Sequence, residues 1–232
     1  MKSPRSLIVI TLSTLLLYAS PAMAADATTL VEGIKARIQA ARTYTASMRL
    51  HIDVDFLNIP DAKAKIFFKA PNKTHIDAPG FAMIPREGAD LSAAKLLSSP
   101  YTAVDAGTEI FHGQLMRKVK IIPVDDSSLI AVATIYIDTT LMIPRKVVTT
   151  SKQGGTYIAE LVYDNADARA YCLPSYVKLI FDVGKFELPR AMTGDFEKKK
   201  RVKGAGDEGK AIVEIWYSDY RLNVPISDSI FK

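Results

Sequence analysis

The sequence predicts an α+β fold, mostly antiparallel β: one large curved sheet carrying its helices on one face. Three observations lead there. The stretch TYTASMRLHIDVDFL, Thr43 to Leu57, alternates apolar and polar side chains without a fault for thirteen residues, the mark of a strand with one dry and one wet face. From Thr108 onward the chain reads as a series of strands divided by turn residues. Helical periodicity is confined to two short segments, so the alternating β and α units of a parallel sheet are missing.

Taken in order, Met1 to Arg5 carries Lys2 and Arg5, the apolar run LIVITLSTLLLYA follows, and Pro21 and Ala22-Met23-Ala24 end it. This is the layout of a secretory signal peptide, residues 1–24, cut after Ala24. The alternative, a membrane anchor, needs about 20 apolar residues, more than this run supplies. No cysteine follows it to accept a lipid. Residues 25–232 are long enough for one domain with a substantial core. The expected location is the periplasm.

Residues 27–42 carry Leu30, Val31, Ile34, Ile38 and Ala41 on one stripe, with Glu32, Lys35, Arg37 and Arg42 elsewhere, as in an amphipathic helix. The long strand comes next. Tyr44, Ala46, Met48, Leu50, Ile52, Val54 and Phe56 share its apolar side, and at roughly 3.3 Å per residue it would reach about 40 Å. AKAKIFFK, Ala62 to Lys69, turns Ala64, Ile66 and Phe68 one way and its lysines the other. A short THID strand follows Pro71. Asp90 to Ser99 has a helical pattern with Leu91, Ala94 and Leu97 or Leu96 on one side and Asp90 as N-cap. Strands are expected near 108–112, 115–122, 129–138, 144–151, 156–163, 175–183 and 211–221, with turns at Gly113, Asp125-Asp126, Thr139-Thr140, Gly154-Gly155 and Asp164-Asn165. Glu197 to Lys210 is charged and glycine-rich and reads as a loop or hairpin tip; a basic patch facing anionic lipid is the alternative.

Composition excludes more than it assigns. Without Lys2 and Arg5 the net charge falls from +5 to +3 (28 basic, 25 acidic residues), too mild to argue for nucleic acid. Cys172 is alone, so no internal disulfide forms, and it reads as a buried thiol. His51, His75 and His112 lack metal-ligand spacing. His51-x-Asp53-x-Asp55 shares one strand face, where a solvated surface is the plainer reading than a metal site. No nucleophile elbow, phosphate-binding glycine loop or cysteine pair is present, so neither an enzyme nor a bound cofactor is expected. What stands out is apolar surface in an odd place. APGFAMIPRE, Ala78 to Glu87, sets Phe81, Met83 and Ile84 between proline-glycine and proline. It is either an ordinary packed strand or the rim of an apolar cavity, where Met suits variable chains.

The opening helix, TYTASMRLHIDVDF and AKAKIFFKAPNKTHID together resemble the start of the periplasmic lipoprotein-sorting carriers, the LolA-like family. In that family a Lys-Arg-Pro-Asn type motif ends the strand that follows the first long one; Lys69-Ala70-Pro71-Asn72 stands at the matching place. GTEIFHGQLMRKVKIIP, ATIYIDTTLMIPRKVVTT and YSDYRLNVPISDSIF resemble later strands and the ending. The resemblance implies an unclosed, half β-barrel with helices as a lid on the concave face, and a cavity for acyl chains of lipid or lipoprotein. It also implies an inner-membrane exporter or an outer-membrane acceptor as partners. A monomer is expected. One departure matters: the family's arginine before the proline, which hydrogen-bonds the lid, is Ala70 here. The candidate cavity residues are Met48, Leu50, Ile52, Val54, Phe56, Ile66, Phe68, Phe81, Met83, Ile84, Leu91 and Leu97, each with a plain core role as its alternative. A regulatory module of the same fold, binding a membrane-protein partner, is the competing function.

Overall fold

A computed structural model describes residues 26–54, 57–58, 60–71, 73–78, 96–152, 155–182 and 210–231, with the backbone alone at Val54, Leu57, Asn58 and Asp182. Helix α1 spans Ala27–Ala40 and strand β1 Thr43–Val54. Then come β2 (Leu57–Asn58), β3 (Ala62–Lys69), β4 (Lys73–Asp77), β5 (Tyr101–Phe111), β6 (Gln114–Pro123), β7 (Ile130–Asp138), β8 (Ile143–Ser151) and β9 (Thr156–Val162). A five-residue helix α2 (Ala166–Ala170), β10 (Tyr176–Asp182), β11 (Lys210–Leu222) and a 3₁₀ turn (Asp228–Phe231) complete it.

All the strands join one sheet in the order β4-β3-β1-β11-β10-β9-β8-β7-β6-β5, with β2 beside β1. Every pairing is antiparallel. The two end strands, β4 and β5, do not pair with each other, so the sheet is unclosed. Short turns make most of the connections. His112 and Gly113 both have positive φ (48° and 75°), as a two-residue hairpin of the primed type requires.

The alternation read from the sequence holds along β1 from Ala46 to Asp53; at its start Thr45, expected on the wet face, is buried beside an irregularity between Thr45 and Ser47. Ala46, Met48, Leu50 and Ile52 are buried while Arg49 and Asp53 are exposed. α1 lies on the buried face, inserting Ala27, Leu30, Val31 and Ile34 into one apolar cluster with residues of β1, β11, β10, β9, β8, β7 and β6. A flat sheet would spread those seven strands over about 29 Å, roughly three helix widths. One helix covers only part of that width, and the residues of all seven strands still join one cluster with it and Leu97, as in an unclosed half-barrel whose sheet curls toward its helix.

The long strand is shorter than read: β1 ends at Val54, and Leu57, expected on it, turns back as β2 and pairs with Val54. β2 and the 3₁₀ turn were not read, and two larger elements also escaped. β5 begins at Tyr101, not near residue 108, because an irregularity between Asp105 and Thr108, with Gly107 at φ +76°, breaks its alternation. α2 sits where only a turn was read; the Asn165 side chain caps it by accepting a hydrogen bond from the Ala168 amide at 2.9 Å. The signal segment, the body of the Asp90–Ser99 helix and most of the Glu197–Lys210 loop lie outside the described residues. No helix among the described residues is long and apolar enough to cross a membrane.

Candidate ligand-binding site

The inner face of the sheet carries two apolar clusters of different build. The first surrounds α1 and holds Ile52 and Leu97 of the expected cavity residues, with Ile135, Val147, Leu179 and Val213. The second holds Met48, Leu50 and Ile66 with Ala46, Ala62 and Ala64, flanked by Tyr44, Ile76, Ile215, Tyr217 and Tyr220. Every member of the second cluster belongs to the sheet, apart from Ala78 directly after β4. The register explains the grouping. Met48 faces Ala64 on β3 and Tyr217 on β11, and Leu50 faces Ala62 and Ile215, so small alanines on β3 leave room above the large side chains of β1. Phe68 is half-buried and stacks on Tyr44 with ring centroids 5.0 Å apart. Phe56, Phe81, Met83, Ile84 and Leu91 lie outside the described residues, and Val54 is described in its backbone only.

α1 is fastened very differently at its two ends. Near its C-terminus the Arg37 guanidinium donates four hydrogen bonds to backbone carbonyl oxygens. They are Leu141 and Met142 in the β7–β8 turn (2.8 and 2.5 Å) and Arg169 and Ala170 at the end of α2 (2.6 and 2.8 Å). A planar fork with five N–H donors suits such a site better than an ammonium does. Asp138, buried, holds the same β7–β8 turn by accepting from the Thr140 and Leu141 amides at 3.0 and 3.1 Å. Ala70, which stands where the resemblance expects a lid-contacting arginine, donates its amide to the Arg42 carbonyl at 2.7 Å. The adjoining turn is tied to the C-terminal 3₁₀ turn instead, by Lys69 and Lys73 on Asp228 at 3.0 and 2.9 Å.

Farther toward the N-terminus of α1 the polar tie to the sheet is lighter. The Tyr101 hydroxyl donates to Glu32 Oε1 at 2.5 Å, and Lys35 stands 3.5 Å from the same oxygen and 5.3 Å from the centre of the Tyr101 ring. Burial, then the bond to Glu32, pushes the Tyr101 hydroxyl up beyond its ordinary range; the bond from Tyr101, then Lys35, lowers the Glu32 carboxyl. Beside these groups opens a pocket of about 530 Å³ lined by Thr28, Glu32, Lys35, Ser98, Ser99, Pro100, Tyr101, Thr102 and Ala103. The sequence placed Glu32 and Lys35 only on the polar side of the helix, and nothing in their spacing marked them out.

On the outer face, Arg49 lies 3.8 Å over the Trp216 ring. His51 Nδ1 is 2.7 Å from Asp61, and that contact raises the imidazole's pKa. Cys172 is buried, as read, and desolvation pushes its thiol up to about 11, which disfavours the reactive thiolate.

No protein-family model matches the chain, and no curated protein matches it by sequence. Solved structures do match in fold. A LolA superfamily protein from Nitrosomonas europaea is 11% identical at a TM-score of 0.60, the match covering 90% of this chain and 98% of that one. A DUF1329 family protein from Desulfovibrio piger is 11% identical at 0.55, covering 89% and 98%. A putative outer membrane lipoprotein-sorting protein domain from Vibrio parahaemolyticus is 13% identical at 0.51, covering 87% and 94%. The fold of this chain is LolA-like.

Proposed function

Starting from the LolA-like fold, we propose that residues 25–232, freed of a signal peptide cut after Ala24, form a single-domain periplasmic carrier. It binds acyl chains of lipid or lipoprotein against the inner face of its half-barrel and delivers them toward the outer membrane without chemistry of its own. The observation that carries this reading is the second apolar cluster. Met48, Leu50 and Ile66 give β1 and β3 an apolar face on the side where the resemblance puts the cargo, and among the described residues their packing partners come from the sheet, apart from Ala78. Chains laid there are removed from water, worth about 0.8 kcal/mol per CH₂. The Vibrio protein of the same fold, described as a lipoprotein-sorting domain, supports the choice of cargo. Phe56, Phe81, Met83, Ile84 and Leu91 are proposed to extend the same apolar lining. Ile52 and Leu97 belong to the core under α1 and would touch cargo only at its inner end.

The test is mass spectrometry of an organic extract from the mature protein, purified from the periplasm without detergent. Stoichiometric phospholipid or lipopeptide is expected in the wild type and should disappear in Met48→Asp that keeps its circular dichroism. A clean extract from folded, monodisperse wild type would overturn the reading and shift the weight to a module that binds a membrane-protein partner.

A further inference from the structure

The pocket at the N-terminal end of α1 has two unlike walls. One is polar and charged: Glu32 and Lys35 from the helix, with Thr28 and Ser99. The other is formed by Tyr101 and Ala103, which pack directly against the main apolar cluster beneath α1. A cavity whose one side is a carboxylate with an ammonium, and whose other side runs into the apolar interior, fits an amphiphile bound head outward.

The charges narrow the head. Glu32 and Lys35 are 3.5 Å apart, with side chains 52% and 26% exposed, and an ion pair so exposed contributes about 0–1 kcal/mol. It is weak enough to be exchanged for pairs with a ligand. A purely anionic head would satisfy Lys35 and meet Glu32 with repulsion; a purely cationic one would do the reverse. A head carrying both signs satisfies both, with the Ser99 and Thr28 hydroxyls able to donate to phosphate oxygens. Arg37 locks the C-terminal end of α1 by four bonds, whereas Glu32 beside the pocket is joined to β5 by the Tyr101 bond, which leaves its second carboxylate oxygen for a ligand's ammonium.

We infer that this pocket binds the zwitterionic phosphoethanolamine headgroup of a lipid, with Lys35 on the phosphate and Glu32 on the ammonium, and the near ends of the acyl chains against Pro100, Tyr101 and Ala103. The inference rests on the carrier reading and adds the class of lipid.

Calorimetric titration of the mature protein with four soluble probes tests it: dihexanoyl phosphatidylethanolamine, dihexanoyl phosphatidylglycerol, dihexanoylglycerol and free phosphoethanolamine. The ethanolamine lipid is expected to bind about tenfold more tightly than dihexanoylglycerol, the gain of one charge-assisted contact, and more tightly than phosphatidylglycerol. Glu32→Gln, which still accepts from Tyr101, should abolish the preference for ethanolamine over glycerol heads. Lys35→Met should bring both phospholipids down to the level of dihexanoylglycerol. Equal binding of dihexanoylglycerol and the ethanolamine lipid by wild type, or an ethanolamine preference that survives Glu32→Gln, overturns the headgroup site and leaves the carrier standing. Free phosphoethanolamine binding as tightly as the lipid overturns the lipid as its source. If none of the four binds, the carrier reading fails and this inference with it.

Discussion

The two apolar clusters on the inner face are built from similar residues on neighbouring strands, yet α1 packs on one, and no described helix packs on the other. Around α1, Val31, Ile34, Val119, Ile121, Ala133, Ile137 and Ile143 reach zero exposure, because a helix fills the curve of seven strands. On β1 and β3 only Ala46 does so; Met48, Leu50, Ala62, Ala64 and Ile66 keep 5–9%, as Ile52, Val147, Leu179 and Val213 do at the margin of the first cluster. Binary patterning assigns a residue to a face; what is packed on that face is decided by the curvature of the sheet and the placing of a helix, neither of which alternation encodes.

The sharpest way to break the comparison is one substitution made in both places. Ile34→Ala removes the same atoms as Ile66→Ala. Under α1 the surroundings are fixed on all sides, so Ile34→Ala should cost about 3–5 kcal/mol in urea denaturation, the range for deletions that leave a rigid cavity. Ile66→Ala should cost about 1–2 kcal/mol, because in the carrier reading cargo and not a packed helix lies over it and the site can close in part, while lowering lipid retention. Equal costs would make the second cluster ordinary core and remove the ground for a cargo site there.

The next largest effect is at Arg37. Arg37→Met keeps much of the aliphatic stem and deletes four hydrogen bonds. The loss should be about 2–4 kcal/mol, several bonds from a charged donor to carbonyls that stay partly reachable by water. The clamp also separates the two ends of α1, so amide exchange should rise first in residues 37–40 of the variant. Tyr101→Phe deletes only the bond at the other end and should cost about 0.5–1.5 kcal/mol, with faster exchange confined to residues 28–32. If Tyr101→Phe proves as damaging as Arg37→Met, the two polar ties are of equal weight and the contrast between them is gone.

How much of this was legible depended on the range of the interaction. β1 and β3 could be read because their alternation is local and long, and Ala46, Met48, Leu50, Ile52, Ala64 and Ile66 all fell on the expected face. α1 was readable from its stripe and stops at Ala40, two residues before the expected end. β5 was half lost at a bulge, and α2 was lost because five residues give too little periodicity, although Asn165 three places before Ala168 was a capping signal in plain view. Arg37 was invisible in its role. Its acceptors are backbone carbonyls 104 to 133 positions away, and any residue can supply a carbonyl. The pocket was invisible for a related reason, since Glu32 and Lys35 gain meaning only from Tyr101, 69 positions from Glu32. Ala70 was flagged as the loss of a latch; the chain fastens its helix with Arg37, on the helix itself.

The smallest expected effect concerns the outer side of the strands that carry the second cluster, and it is pH-dependent. His51 donates to Asp61 when protonated, and that bond raises its folded-state pKa above the unfolded value of about 6.5. A raised pKa means that the folded state holds the proton more tightly than the unfolded one. The added stability is therefore complete below the unfolded pKa and vanishes as pH rises through the folded one. The His51 side chain is 43% exposed, so solvent screens most of the attraction, and the wild type should exceed His51→Asn in Tm by only about 1–2 °C at pH 5.5. At pH 8.5 the difference should be gone. A gap that persists unchanged at pH 8.5 would mean that the neutral ring holds Asp61 as well as the imidazolium does, and the outer face would then owe this tie to packing and a neutral hydrogen bond instead of charge.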